Sequence, residues 1–243
     1  MDLIYSHIKS KDGFGAQYQR IIQTYIYCKI NELEYVYEPF EYVEHNYDKD
    51  KEYNDKLENL INLKKNVVNL NNNINLKRLD YGTIVMPFFE KNIDTCCKSI
   101  HMDFIKECFW KNKDANYFNN NKLNVAVHIR RENSVDNGFA GERATTPNTY
   151  YLNIMNTIRE KYKNKEIVFH IYSQGDIINF SDLVNNDVMF YLNYDIIETF
   201  KGLVSSEVLV TSPSSFSYVA ALISDGEIYY KKFWHNPRNN WIV

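Results

Sequence analysis

Two adjacent arginines, Arg130 and Arg131, directly follow the apolar run Val125-Ala126-Val127-His128-Ile129. Guanidinium stays charged at any physiological pH and offers paired, coplanar donors that match phosphate oxygens. The apolar run predicts a buried strand, and ligands of open α/β sheets bind beyond the carboxyl ends of their strands. Arg130 and Arg131 are thus expected at the mouth of a crevice, with a phosphate group as the expected ligand. A surface ion pair with Glu132 or Asp136 is the competing reading of the same residues.

Two other stretches offer related chemistry. Gly13-Phe14-Gly15 separates a short apolar segment, Leu3 to Ile8, from a helical pattern over Gln17 to Ile30. Glycine lets the backbone approach a ligand, and a helix N-terminus favours an anion. Tyr18 stands where the dinucleotide fingerprint needs its third glycine, so a standard NAD site is excluded. An ordinary tight turn explains the same glycines equally well. Ser212-Pro213-Ser214-Ser215-Phe216-Ser217 follows the apolar Val208-Leu209-Val210 and precedes an apolar helical pattern. Hydroxyls and unpaired N–H groups converge at such a turn. A plain serine cap needs one hydroxyl, whereas this run supplies several. All three stretches fall at predicted strand ends, and together they point to a diphosphate held between two α/β halves.

The elements that must position these groups can be read from periodicity. In the first half, strands are expected at Leu3 to Ile8, Glu34 to Tyr37 and Ile84 to Met86, with a helix over Thr95 to Trp110. Glu44 to Glu58 reads as a solvated loop or helix, and the Asn-rich Asn66 to Asn75 as a loop or insertion. The polar stretch Lys111 to Lys122 suggests a boundary, giving domains 1–120 and 121–243. Beyond it, strands are expected at Leu123 to Ile129, Ile167 to Tyr172, Val188 to Tyr191, Val208 to Val210 and Glu227 to Tyr230. Helices alternate with them: Tyr150 to Tyr162, begun by Thr146-Pro147, then Asp195 to Val204 and Ser214 to Ile223. Alternation of this kind predicts a parallel sheet covered by helices.

Composition removes other classes. With 44% hydrophobic residues in 243, the chain has enough apolar material for a core. A net charge of -3 argues against a nucleic-acid-coating protein. Cys28, Cys96, Cys97 and Cys108 form no CxxC pair, which suits reduced thiols in a cytoplasmic setting. No signal peptide or membrane-spanning stretch is read in the sequence. No metal site is expected: the six histidines lack ligand spacing, and Asp48-Lys49-Asp50 lies in a run of charge with no flanking buried strand.

Four motifs in matching order and spacing resemble the fucosyltransferase superfamily, which includes α-1,2-, α-1,6- and protein O-fucosyltransferases. His128-Ile129-Arg130-Arg131 looks like its His-x-Arg-Arg motif. Leu203 to Ala221, with Ser214-Ser215-Phe216-Ser217, is similar to the late motif of the α-1,2 group. Gly13-Phe14-Gly15-Ala16-Gln17 resembles that group's Gly-x-Gly-Asn-Gln loop, and His170-Ile171-Tyr172-Ser173 sits where a middle motif ends. The likeness runs over about Lys122 to Gly226, and touches the first half only at the glycine loop. Departures are Ala16 for Asn, Glu132-Asn133 for Gly-Asp, Ser173-Gln174-Gly175-Asp176 for Ser-Asp-Asp, and Tyr218-Val219 for a paired-Trp segment.

The resemblance implies a GT-B-like α/β fold: two Rossmann-like domains facing a cleft, the N-terminal one reduced and on the acceptor side. It implies inverting, metal-independent transfer of fucose from GDP-fucose to a hydroxyl of a glycan or glycoprotein, with no cofactor beyond the donor substrate. Arg130 would hold the leaving phosphate and Arg131 would support it or shape the loop. Ser214, Ser215 and Phe216 would line the diphosphate, and His128 would contact nucleotide or sugar. Gly13, Gly15, Gln17 and Ser173 complete the implied donor site, and Glu198 or a neighbour would approach the base. For the general base, the residues themselves offer Glu142, Asp136 and Glu132. Glu142 is favoured because Gly138 and Gly141 would let its loop fold over a cleft, while Arg143 offers another cation. The alternatives are another nucleotide sugar on the same fold, or a non-catalytic glycan- or nucleotide-binding module.

Overall fold

The computed structural model describes residues 4–46, 48–65, 67, 75–114, 116–131 and 146–243. The chain divides into two compact units, Met1–Asp114 and Ala115–Val243. Each is a mixed α/β unit built on its own parallel sheet. Among the described residues, no helix is long and apolar enough to cross a membrane.

The first unit carries three parallel strands in the order β2-β1-β3: β1 (Ile4–Ser6), β2 (Glu34–Tyr35) and β3 (Leu76–Arg78). Helix α1 (Phe14–Ile30) joins β1 to β2 and buries Tyr18, Ile22, Ile26 and Cys28 completely. Tyr25 of α1 stacks on Phe104, 5.5 Å away in α5 (Ile100–Trp110). The charged segment after Glu44 is partly helical: α2 (Tyr53–Ile61) turns Leu57, Leu60 and Ile61 inward.

Two expectations for this unit are corrected. Ile84-Val85-Met86 is not a strand; it lies in a wide helical turn, Tyr81–Val85, that runs into α3 (Met86–Lys91). Asp80 caps that turn by accepting the Thr83 N–H at 2.7 Å, and Pro87 lies where the turn passes into α3. The third strand is instead Leu76–Arg78. The helix expected over Thr95 to Trp110 is two helices, α4 (Ile93–Cys97) and α5, because Ser99 caps α5 by accepting the Met102 N–H.

The second unit is a five-stranded, all-parallel sheet in the order β6-β5-β4-β7-β8. The strands are β4 (Leu123–Ile129), β5 (Ile167–Ser173), β6 (Val188–Leu192), β7 (Val208–Val210) and β8 (Glu227–Tyr229). Helices α6 (Asn148–Lys161), α7 (Ile196–Ser205) and α8 (Ser215–Ile223) alternate with them. Pro147 caps α6 from outside with ψ 153° rather than sitting in its first turn.

Successive side chains of a strand point to opposite faces. Val125, Val127, Ile129, Phe169, Ile171, Val208 and Val210 pack on one face with Tyr151, Met155 and Ile158 of α6. Each such fully buried side chain contributes about 1.5–3 kcal/mol. The intervening residues Asn124, His128, His170 and Tyr172 put polar groups on the other face. There His170 sits between the Asn124 Oδ1 at 3.1 Å and the Tyr191 hydroxyl at 3.3 Å, with the Phe118 ring centroid 4.3 Å away. Tyr172 reaches α7 at Gly202, where an added Cβ would lie 2.1 Å from the tyrosine oxygen. The free side of β8 is taken by Ile242, which donates to the Ile228 carbonyl at 2.9 Å and accepts from Tyr230 N–H.

Candidate functional site

The strand order of the second unit reverses at one point, and in open α/β sheets ligands bind at such points. The chain runs outward from β4 through β5 to β6, then crosses back to lay β7 and β8 on the other side of β4. β4 and β7 are therefore neighbours whose following segments diverge to opposite faces, the switch-point geometry of open α/β sheets. Their register pairs Val127 with Val210, so the residues beyond both strands emerge side by side. Those residues are Arg130 and Arg131 after one strand, with His128 just inside its end, and Thr211 to Ser217 after the other.

His128 links the two. Its Nδ1 lies 2.7 Å from the Ser212 hydroxyl, and its ring centroid is 5.6 Å from that of Phe216 in α8. Phe216 is backed by Phe200 of α7 at 5.4 Å. Burial, with the Arg130 charge beside it, pushes the His128 pKa down to about 3, so the ring is uncharged at neutral pH.

Each hydroxyl of the serine turn has its own task. Ser214 caps α8 by accepting the Phe216 N–H at 3.3 Å. Ser217 accepts the Ser212 N–H and donates back to the Ser212 carbonyl at 3.2 Å, fixing the bend. Ser212 holds His128. Ser215 is half-buried in the first turn of α8, a turn without any acidic residue. The N–H groups of such a first turn lack intrahelical partners and favour an anion.

The two arginines separate sharply. Arg131 is spent on its own chain: Nη1 donates to the Arg130 carbonyl at 2.9 Å and to the Thr146 carbonyl at 3.0 Å, and Nη2 bonds Asn148 Oδ1. Asn148 passes the connection to the Asn179 carbonyl and Asp182. The Arg131 guanidinium also lies over the Phe180 ring at 5.6 Å. Arg130, half-buried at the β4 exit, has its charge close enough to act on His128.

The other expected site residues that are described have local partners of their own. Ser173 ends β5 and gives its hydrogen to the Ile129 carbonyl at 2.7 Å, tying β4 to β5. Glu198 lies in the first turn of α7, paired with Lys201 at 2.7 Å. Gly13, Gly15 and Gln17 belong to the first unit. There the close approach at Gly13 is explained within the chain, since an added Cβ would meet the His45 ring at 2.8 Å. Gln17 donates to the carbonyls of Asp12 and Tyr42, and Gly15 is buried inside α1. Asp50 of the Asp-x-Asp sequence pairs with Lys56 at 2.6 Å. Glu142, with Glu132, Asp136, Gly138, Gly141 and Arg143, lies outside the described residues.

Sequence reasoning missed Ser212 as a site residue. Its place directly after a buried strand was the available signal, but its partner is 84 residues away in sequence. Among the described residues, no three His, Cys, Asp or Glu side chains converge as a metal ion would require. No protein-family model matches the chain, and no curated protein sequence matches it.

Proposed function

We propose that the chain is an inverting glycosyltransferase with a GT-B-like arrangement that moves fucose from GDP-fucose to a hydroxyl of a glycan. The observation that carries this reading is the contact at the ends of β4 and β7, where His128 meets Ser212 and Phe216 with the Arg130 charge beside it. An arginine, a fixed imidazole and the positive end of the α8 dipole suit a diphosphate. The motif resemblance supplies the sugar and the nucleotide.

In this reaction the acceptor oxygen forms a bond to the anomeric carbon as the bond to the diphosphate oxygen breaks. The electron pair leaves with the nucleoside diphosphate, and Arg130 neutralises the charge that develops there, a role a metal ion fills in other transferases. The acceptor proton passes to a general base, for which Glu142 is the proposed carboxylate. Four free, buried thiols are compatible with a reducing, cytoplasmic compartment.

The reading is tested by thermal shift against GDP, UDP, GDP-fucose and UDP-sugars. Stabilisation by GDP and GDP-fucose is the expected result. A response to UDP alone would replace the donor, and glycan binding without any nucleotide response would replace the enzyme by a binding module.

A further inference from the structure

The hydrogen between Ser212 and His128 can be assigned by exclusion. Ser212 is fully buried, and its hydroxyl has no partner among the described residues other than His128 Nδ1 at 2.7 Å. The bonds from Ser217 go to the Ser212 backbone, not to its side chain. A serine hydroxyl carries one hydrogen, and buried hydrogens of this kind are matched to an acceptor. Were Nδ1 protonated and donating to Oγ, the serine hydrogen would be left buried without one. Nδ1 is therefore the acceptor, and in a neutral ring the remaining hydrogen belongs to Nε2.

We propose that Ser212 is a positioning residue that locks His128 in the Nε2-protonated tautomer, so that the ring offers a hydrogen-bond donor to a ligand in the crevice. The ring is steadied by Phe216, the residue is half-buried, and Nε2 has no protein partner among the described residues. It is also uncharged, because burial beside Arg130 disfavours the imidazolium. At neutral pH His128 thus brings a hydrogen into the crevice and no free lone pair. It donates and does not serve as the general base. Its use toward a departing diphosphate rests on the nucleotide-sugar reading.

The test is nitrogen NMR of the full chain labelled with 15N-histidine at neutral pH. In the wild type, Nδ1 of His128 is expected to resonate as an unprotonated nitrogen and Nε2 as a protonated one. Ser212→Ala mixes the tautomers, and Ser212→Thr, which keeps the hydroxyl, restores the wild-type pattern. The opposite tautomer in the wild type, or an unaltered pattern in Ser212→Ala, overturns the assignment. GDP titration by calorimetry reads the consequence: Ser212→Ala is expected to weaken binding roughly tenfold, the size of one lost hydrogen bond to a charged group, and Ser212→Thr to recover it. GDP affinity unchanged within about twofold despite mixed tautomers overturns the positioning role. A wild type that binds neither GDP nor UDP ends the nucleotide reading, while the NMR pattern alone still decides the tautomer.

Discussion

Arg131 donates to the Thr146 carbonyl at 3.0 Å, joining the exit of β4 to the entry of α6. The same guanidinium bonds Asn148 and covers the Phe180 ring, so its fork is occupied within the protein. Arg131→Ala is expected to destabilise the second unit by about 1.5–3 kcal/mol, the range for a hydrogen bond to a charged group. Arg131→Lys restores little of this, because an ammonium lacks the planar fork. Urea unfolding measures both; an Arg131→Ala midpoint equal to wild type would show that the contact carries no stability.

Arg130→Ala is expected to lower turnover by about two to three decades, equivalent to about 2.7–4 kcal/mol of transition-state stabilisation. Transfer from GDP-fucose to a glycan panel is the assay. Near-normal turnover would remove the proposed role of Arg130 in stabilising the leaving group.

Gly202 is expected to resist substitution although it lies in a helix. Alanine gains about 1 kcal/mol over glycine in a helix interior. Against that, the new Cβ would stand 2.1 Å from the Tyr172 oxygen and 2.6 Å from its Cζ. Tyr172 cannot swing aside, being buried and stacked on Tyr191 at 4.9 Å. Overpacking typically costs about 1–3 kcal/mol, so the net effect of Gly202→Ala is destabilising. Tyr172→Phe removes the closest atom and should recover part of the loss; additive effects in a double-mutant cycle would contradict the clash.

Stability should fall on mild acidification. Burial pushes His170 from its ordinary 6.5 down to about 4, and Asn124, Tyr191 and Phe118, which face it, bring no compensating charge. As pH falls below about 6.5, the unfolded chain takes the proton first, so stability is lost down to about 4 and levels off below. His7 and His128, both lowered by burial, act in the same direction. His170→Gln is expected to flatten part of this slope in urea midpoints measured from neutral pH to about 4. An identical slope in the variant would show that His170 is not sealed as described.

The strands of the second unit were legible because Val125 to Ile129 and Ile167 to Tyr172 are dominated by β-branched and aromatic residues and bounded by polar ones. Ile84-Val85-Met86 was not, since three apolar residues suit either state and the Asp80 cap decides between them. The Arg130–Arg131 pair announced a charged strand end, but the placement of Arg131 depends on Thr146 and Asn148, which only folding brings near. Similarly, the closeness of the His45 ring to Gly13 arises only on folding. Ser212 became visible only through His128, since no local pattern links residues so far apart.

The pairing of Ile242 with β8 also bears on self-association. A parallel sheet ends in rows of unsatisfied N–H and C=O groups, and such an edge invites a strand from another molecule. Here the Ile228 carbonyl and the Tyr230 N–H, which would face outward, are already engaged by Ile242. Ile242 thus acts as a guard against edge-to-edge aggregation, a task set by hydrogen bonding and independent of the strand ends of β4 and β7.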